Sequence, residues 1–442
     1  MFLFKKSEIT KKLFFNSRTS LAFVLKFLNL LFQILSIYFL ANSFSSSELG
    51  LYYLFMSFFG LQILVDLGFT KTMSIFVSHE SNKIIFSNTS IKAEVNILQR
   101  IKTILTIVFR WFIKSSFWLF LVYLLLGIVF FIIKDKDIEI FLLWISLSLL
   151  SCISLYSSII TSFLQGVNQI NKANTYASIQ LIVSNILFFS TINSFGLHSM
   201  LFKTLGTVIV FLIYIGYYRR LILFLLRLKI PVELNIKKLF LKQQKKFAFT
   251  AILGFFILNI FIPFSYYFVS PEFSGKLGMT FQITNTFSAF MMIFFNINFP
   301  LLSHSISINK YKSARLDFYY ILKLICLLLL IGYISFFFLK EILFFKNLLN
   351  HKILTSWNLV LIVIGSIGFL YVDLFSSFLR LFKSELFVKH SLISLLLSVL
   401  MLSTLGIFYQ NDGVLLAYVL LALFGVFNVS IIFIKHQYNE RS

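Results

Sequence analysis

Cysteine, proline and the motifs of soluble enzymes are scarce in this 442-residue chain. Only two cysteines and four prolines occur. Cys152 and Cys326 lie in separate apolar segments, so the sequence offers neither a disulfide framework nor the closely spaced thiols of a metal site. Glycine-rich phosphate loops and nucleophile elbows are also missing, which argues against an ATP-driven machine or a hydrolase. We therefore expect no cofactor and no bound metal.

Charge is scarce as well, and this decides the class of protein. Charged residues make up 12% of the chain, against about a quarter in soluble proteins. Hydrophobic residues make up 59%, and the mean hydropathy is +0.92. These values predict a membrane protein. Lys and Arg outnumber Asp and Glu by 39 to 16, but the cations lie between apolar runs, where they act as topology signals and contact lipid rather than nucleic acid.

Twelve apolar runs are long enough to cross a bilayer, which takes about 20 residues. The predicted spans are residues 21–40, 50–74, 117–133, 140–164, 175–192, 200–218, 247–269, 277–302, 318–339, 357–379, 391–409 and 414–434. Most of the 39 Lys and Arg lie in the N-terminal tail or after even-numbered spans. Because cytoplasmic loops carry an excess of cations, both termini are predicted in the cytoplasm.

The two halves of the chain look related. A shift of 228 residues places Glu48-Leu49-Gly50 on Lys276-Leu277-Gly278. The predicted fold is an all-α polytopic membrane protein, with about 12 transmembrane helices in two six-helix lobes related by a parallel pseudo-twofold repeat. The domains would be an N-terminal lobe (1–218), a basic cytoplasmic linker (219–246) and a C-terminal lobe (247–442). The inner segments 78–116 and 219–246 are expected to form helices on the inner leaflet.

Polar residues mark one face of the first span and one face of the eighth. At helical spacing these are Lys26, Asn29 and Gln33, and Gln282, Asn285 and Asn296. Such faces predict an amide-lined cavity in which Lys26 meets an anionic head group. The alternative is hydrogen bonding between helices, together with a lysine that extends to the interface.

Four further charges are candidates for coupling or gating. Asp66 and Lys71 lie near the inner end of the second span, and Asp373 and Arg380 near that of the tenth. A carboxylate at membrane depth needs a partner, water or a task. Either aspartate is therefore a candidate proton or cation site, or the partner of a neighbouring cation.

Three motifs carry a resemblance to a known family. Ser47-Glu48-Leu49-Gly50-Leu51-Tyr52, followed by Asp66-Leu67-Gly68, resembles the second-span signature of the O-antigen and polysaccharide flippases. These belong to the multidrug/oligosaccharidyl-lipid/polysaccharide exporter superfamily. Phe163-Leu164-Gln165-Gly166-Val167-Asn168 is similar to their turn after span four. Lys276-Leu277-Gly278, with Pro300-Leu301-Leu302-Ser303, is similar to the second-lobe equivalent of the first motif.

The resemblance implies an alternating-access flippase of the bacterial cytoplasmic (inner) membrane, and not an enzyme. Its expected cargo is an undecaprenyl-pyrophosphate-linked oligosaccharide, an O-antigen or capsule repeat unit used in lipopolysaccharide or other polysaccharide biosynthesis. Lys26 is the position expected to bind the pyrophosphate, with Arg18 at the entrance. Expected partners are this glycan, membrane lipids, a polysaccharide polymerase and a chain-length regulator.

Two alternatives remain open. A cation-coupled multidrug exporter would share the fold, but it would favour an acidic, aromatic cavity over a basic one. A membrane polysaccharide polymerase or glycosyltransferase would come from another class. Asp135-Lys136-Asp137 offers the D-x-D pattern of the latter, but such enzymes generally carry a large outer loop, which this sequence lacks.

Overall fold

The computed structural model describes residues 17–80, 84–86, 91–134, 137–228, 234–307, 310–342, 349, 351–382 and 387–439. The first half of the chain forms α1 (Ser17–Ser43), α2 (Ser46–Phe59), α3 (Ile63–Asp66), α4 (Phe69–Glu80), α5 (Val95–Gly127), α6 (Ile138–Ser154), α7 (Ser157–Gly166), α8 (Ile170–Phe195) and α9 (Ser199–Arg227). The second half forms α10 (Leu234–Asn259), α11 (Phe261–Phe268), α12 (Pro271–Ser307), α13 (Tyr311–Lys340), α14 (Ser356–Arg380), α15 (Val388–Met401) and α16 (Gln410–Asn439).

The helices reproduce the predicted series of membrane spans. By length and hydropathy, nine stretches of the described residues could cross a membrane, and one of them, Ile170–Leu225, covers both α8 and α9. The shorter apolar stretch Phe27–Ser43 of α1 and the 37-residue α12 are not among the nine, but they coincide with the predicted first and eighth spans. Their apolar side chains are often exposed, as in Phe338 at 77% and Phe408 at 80%. This is the expected surface of helices that face lipid.

The second predicted span ends earlier than expected. Its helix runs from α2 through a short 3-10 turn into α3, and it stops at Asp66. Leu67 and Gly68 then have positive φ values of 40° and 76°, and α4 begins at Phe69. Leu67 carries a side chain in the left-handed region, which costs about 1–2 kcal/mol. The prediction of one helix through residue 74 was therefore wrong.

The inner segment that follows also differs from the prediction of a separate surface helix. Ile85–Phe86 (β1) pairs antiparallel with Ile91–Lys92 (β2), with Ile85 opposite Lys92. α5 then runs unbroken for 33 residues, through the start of the predicted third span. The reason is that its buried residues keep a single helical phase from Ile97 to Tyr123. One continuous buried stripe favours one helix.

The chain forms two compact units. One comprises residues 1–54 and 256–442, and the other comprises residues 55–255. We call them the discontinuous unit and the continuous unit. The predicted lobe boundary at 219–246 remains a prediction.

The core of the continuous unit is built around Trp144. Its ring is fully buried and lies against the rings of Phe55, Phe59 and Tyr123, with centroids 4.9–5.6 Å apart. The indole Nε1 donates to the Tyr123 carbonyl at 2.7 Å, which satisfies the only polar atom of the side chain. Gly127 allows this approach, because a Cβ there would overlap the indole. The ring cluster fixes α2, α5 and α6 against one another.

The discontinuous unit has two apolar clusters. In one, the fully buried Phe318 stacks on Phe378 at 4.2 Å and meets the edge of Phe375 at 5.1 Å. In the other, Tyr418 lies against Phe261 and Phe281. The first cluster joins α13 and α14, and the second joins α11, α12 and α16. Together they hold α12, one of the two helices with a predicted polar face.

Candidate functional site

The structure describes two of the predicted polar side chains of α1. Asn29 and Gln33 are half-buried. The Oδ1 atom of Asn29 is buried and has no hydrogen-bond partner among the described residues. A buried amide oxygen without a partner is costly, so a donor that reached this atom would be bound favourably. The side chains of Arg18 and Lys26 lie outside the part of the chain that the structure describes.

The polar face of α12 changes in character along its length. Asn285 and Asn296 are exposed, whereas Gln282 is half-buried. Its Oε1 accepts a hydrogen bond of 2.5 Å from the hydroxyl of Tyr53. The same hydroxyl lies 3.4 Å from the sulfur of Met279. Gln282 is therefore already engaged in this structure, while the two asparagines remain open to the surroundings.

The structure brings the helices that carry the two faces together. α1 packs against α12 within the discontinuous unit. Gln33 lies ten residues before the end of α1, and Gln282 lies eleven residues after the start of α12. At about 1.5 Å per residue, both are about 15–17 Å from those helix ends. The two amides therefore sit at similar depth on neighbouring helices.

Glycines allow α2 and α12 to touch near their N-terminal ends. A Cβ on Gly50 would overlap the Pro271 carbonyl, and one on Gly275 would overlap the Ser46 carbonyl. Farther along, a Cβ on Gly278 would overlap the ring of Tyr53. We call this contact the α2–α12 crossing. It brings together Glu48-Leu49-Gly50 and Lys276-Leu277-Gly278, the two motifs that a shift of 228 residues aligns.

A capping box starts α2 next to the crossing. Ser45 Oγ accepts from the Glu48 amide at 3.2 Å, and the Glu48 carboxylate accepts from the Ser45 amide at 2.7 Å. This reciprocal pair satisfies two helix-end donors. The S-x-x-E pattern is a sequence signal of helix initiation that the sequence interpretation missed.

The loop before α14 holds this end of α2. Ser46 Oγ donates to the His351 carbonyl at 2.8 Å, and the Lys352 ammonium donates to the Phe44 carbonyl. Burial lowers the pKa of Lys352, and the neighbouring Glu48 carboxylate works against that shift. Sequence reasoning missed these contacts, because each joins residues about 300 positions apart. A cavity of about 320 Å³ lies beside them, and its mixed lining includes the polar residues Glu272, Lys276 and His351 and the apolar residues Phe273, Ile353 and Leu354.

Asp66 has a structural task in the continuous unit. Its Oδ1 accepts from the Thr70 amide at 3.0 Å and so caps the start of α4. Two buried or half-buried donors complete the turn. Trp111 Nε1 donates to the Val65 carbonyl at 2.7 Å, and Gln244 Nε2 donates to the Leu67 carbonyl at 3.0 Å. A capping role explains the Asp-Leu-Gly sequence without ion chemistry; the coupling role of Asp66 remains a prediction.

The other candidate coupling residues lie in two different units of the chain. Lys71 is exposed in the first turn of α4, in the continuous unit. Asp373 and Arg380 lie on α14, in the discontinuous unit, and both are exposed. Arg380 attracts the Asp373 carboxylate and lies over the ring of Phe387, 5.8 Å from its centroid. The predicted set is thus divided between the two units.

Comparison with known sequences identifies no relative: no protein-family model and no curated protein matches the chain. Comparison with solved structures does find similar folds. An inward-facing multidrug resistance MATE family transporter of the MOP superfamily aligns with a TM-score of 0.66 at 12% identity, covering 93% of this chain and 94% of that one.

Two further structures extend this likeness. The lipid II flippase MurJ, in an inward closed conformation, aligns with a TM-score of 0.59 at 16% identity, covering 94% of this chain and 87% of that one. A MOP superfamily transporter from Pyrococcus furiosus, described as having a binding pocket of reverse polarity, aligns with a TM-score of 0.57 at 13% identity, covering 93% and 92%.

At these identities the likeness establishes the fold. The chain is a multi-pass membrane protein with the fold of the MOP superfamily transporters, and the predicted fold class is confirmed. All the solved structures described here are membrane transporters or flippases.

Proposed function

We propose that the protein is a flippase that carries an undecaprenyl-pyrophosphate-linked oligosaccharide from the inner to the outer leaflet of the bacterial cytoplasmic membrane by alternating access. Both termini would face the cytoplasm. The motif resemblance supports this cargo, and so does the presence of a lipid II flippase among the similar structures. The fold itself is compatible with either a lipid-linked or a drug cargo.

The observation that carries the proposal is the pairing of α1 with α12. A sugar hydroxyl that enters hydrocarbon without a hydrogen-bond partner costs several kcal/mol. Amide side chains both donate and accept, so Asn29, Gln33 and Gln282 can replace water around such hydroxyls. The Oδ1 of Asn29, which is buried and has no partner among the described residues, is an acceptor that such a hydroxyl would satisfy once the site opens. Asn285 and Asn296 lengthen the face to about 21 Å along α12, at about 1.5 Å per residue.

Charge would then position the head group. Lys26 lies one helical turn before Asn29 on α1, so the two share a face by helical register. A lysine there attracts the pyrophosphate, and Arg18, nearer the predicted inner end, meets it first. The polyprenyl tail stays in the bilayer while the glycan crosses. The released product would pass to a polysaccharide polymerase and its chain-length regulator.

Cation-coupled export of small amphiphiles is the second candidate. It is favoured by Asp373, a carboxylate exposed within the membrane-length helix α14, and by the multidrug transporters among the similar structures. In that case the exposed carboxylate would bind the coupling cation, and Lys26 would be dispensable.

Replacing Lys26 tests the proposal. In a strain deleted for its own flippase and complemented with this chain, Lys26→Ala is expected to lower surface polysaccharide at least tenfold, with an unchanged amount of protein in the membrane. Lys26→Arg keeps the charge and should restore part of the signal. Lys323→Ala, at an exposed lysine of α13, is the matched control and should behave like the wild type.

The same strains separate the two candidates. Normal polysaccharide in Lys26→Ala would remove Lys26 from the mechanism. Drug resistance that is conferred by the wild-type chain and lost in Asp373→Asn would identify an exporter instead.

A further inference from the structure

We infer that Tyr53 is a positioning residue that holds α2 against α12 through Gln282, and that substrate hydroxyls and Tyr53 exchange at this amide as the crossing opens and closes. The inference rests on the proposed function, in which Gln282 is a predicted substrate contact. It states that Tyr53 occupies Gln282 when no substrate is bound. It adds a residue, Tyr53, that the sequence did not single out.

The geometry of Gln282 is the first step. Tyr53 is 6% exposed, and its hydroxyl donates to Gln282 Oε1 at 2.5 Å. Gln282 is the first residue of the α12 polar face, counted from the N-terminal end of the helix, and it is half-buried, whereas Asn285 is exposed. The tyrosine therefore occupies the end of the face that the charge pattern predicts to lie toward the outside.

Few side chains interlock at the α2–α12 crossing, so the two helices can separate there. At Gly50, Gly275 and Gly278, backbone or a ring of the partner helix fills the place of a side chain. At Gly50 and Gly275 the nearest atoms of the partner helix are backbone atoms, so at the crossing glycines only the ring of Tyr53, at Gly278, has to leave its place when the helices separate. The polar contacts at the end of the crossing, from Ser46 to His351 and from Lys352 to Phe44, are ones that water can replace.

The hydrogen bond then links separation to cargo. When α2 moves away, Gln282 Oε1 loses the Tyr53 hydroxyl as its donor and becomes free to accept from another donor. A sugar hydroxyl can supply the missing donor. Substrate therefore favours the separated helices and Tyr53 favours the closed ones. A ligand shifts such an equilibrium by its difference in affinity for the two states.

Thiol labelling of Met279→Cys tests this inference directly. Met279 is fully buried at the crossing, beside Tyr53. The background carries Cys152→Ala and Cys326→Ala, which removes both native thiols. A membrane-impermeant maleimide is added to intact cells, and inverted vesicles serve as the control for sidedness. Labelling of Met279→Cys is expected to be slow with Tyr53 present and about fivefold faster with Tyr53→Phe, which is the factor that one net hydrogen bond supports.

Glycine variants provide the matched set. Gly278→Ala should also speed labelling, because its Cβ displaces the Tyr53 ring. Gly254→Ala should leave labelling unchanged, because no described residue lies within 4 Å of a Cβ at that position. The amount of each variant in the membrane is measured alongside, so that a misfolded variant is recognised.

A second arm varies the cargo. The reporter is labelled in cells that make the lipid-linked oligosaccharide and in cells deleted for the transferase that places the first sugar phosphate on undecaprenyl phosphate. Faster labelling with cargo than without is expected for the Tyr53 protein. Equal rates in Tyr53 and Tyr53→Phe proteins would overturn the inference, whatever the transport activity. Rates that respond to Tyr53→Phe but not to cargo would overturn the exchange at Gln282, whereas failure of the proposed cargo would appear separately, as normal surface polysaccharide in Lys26→Ala.

Discussion

Asp66 allows a prediction that separates a structural role from a chemical one. Its Oδ1 accepts from the Thr70 amide at 3.0 Å and starts α4 after the left-handed turn at Leu67. Asp66→Asn keeps this acceptor and removes the charge. Asp66→Ala removes both. If capping is the role of Asp66, the asparagine variant should transport normally and the alanine variant should be less stable.

The expected size follows from the capping bond. Loss of a capping side chain typically costs about 1 kcal/mol. For a unit the size of residues 55–255, that corresponds to a fall in Tm of about 2–4 °C. Asp66→Asn should lower Tm by less than Asp66→Ala does, because the asparagine keeps the capping acceptor and only the attraction between the charge and the helix end is lost. Surface polysaccharide should stay within about twofold of wild type for Asp66→Asn.

The assay uses detergent-purified protein, and melting is followed by tryptophan fluorescence. Trp111 is a suitable reporter, since it stacks on Phe69 at 4.8 Å and donates to the Val65 carbonyl in the same turn. Asp137 provides the control, because it caps α6 by accepting from the Glu139 and Ile140 amides at 3.0 and 3.1 Å. Its two variants should repeat the stability pattern. Abolished transport in Asp66→Asn, with an unchanged Tm, would refute the capping argument and identify Asp66 as a coupling site.

Two further predictions concern the continuous unit, one on its packing and one on a buried hydrogen bond. Gly127→Ala should lower stability by about 1–3 kcal/mol, as overpacking does, because the new Cβ would overlap the buried Trp144 indole. Gly216→Ala is the control and should not lower stability, because no described residue lies within 4 Å of a Cβ there. Equal melting temperatures of the two variants would contradict the prediction. Gln244→Ala should cost about 1 kcal/mol, since the Leu67 carbonyl loses its 3.0 Å donor. Gln244→Glu, with no amide hydrogen to donate, should be no better than alanine in the same melting assay.

Hydropathy and helical periodicity predicted the larger features of the protein. Apolar runs of about 20 residues can satisfy their backbone in lipid only as helices, so the number of spans could be counted from the sequence. The polar faces of α1 and α12 could also be predicted, because residues three and four apart share a helix face. The interruption at Leu67 could not, since a leucine in the left-handed region depends on the donors that Trp111 and Gln244 supply from other helices.

The sequence by itself determined which residues are polar within the membrane and on which helix face they lie. Only the tertiary structure decided which of them are already engaged. Gln282 and Asn285 look alike in the sequence, but Gln282 accepts from Tyr53, 229 positions away, while Asn285 stays exposed. Likewise, the sequence predicts that Asp66 is a carboxylate at membrane depth, whereas the structure shows that it caps a helix. The physical reason is that a hydrogen bond depends on distance and direction in space, and residue spacing along the chain specifies these only within a single helix.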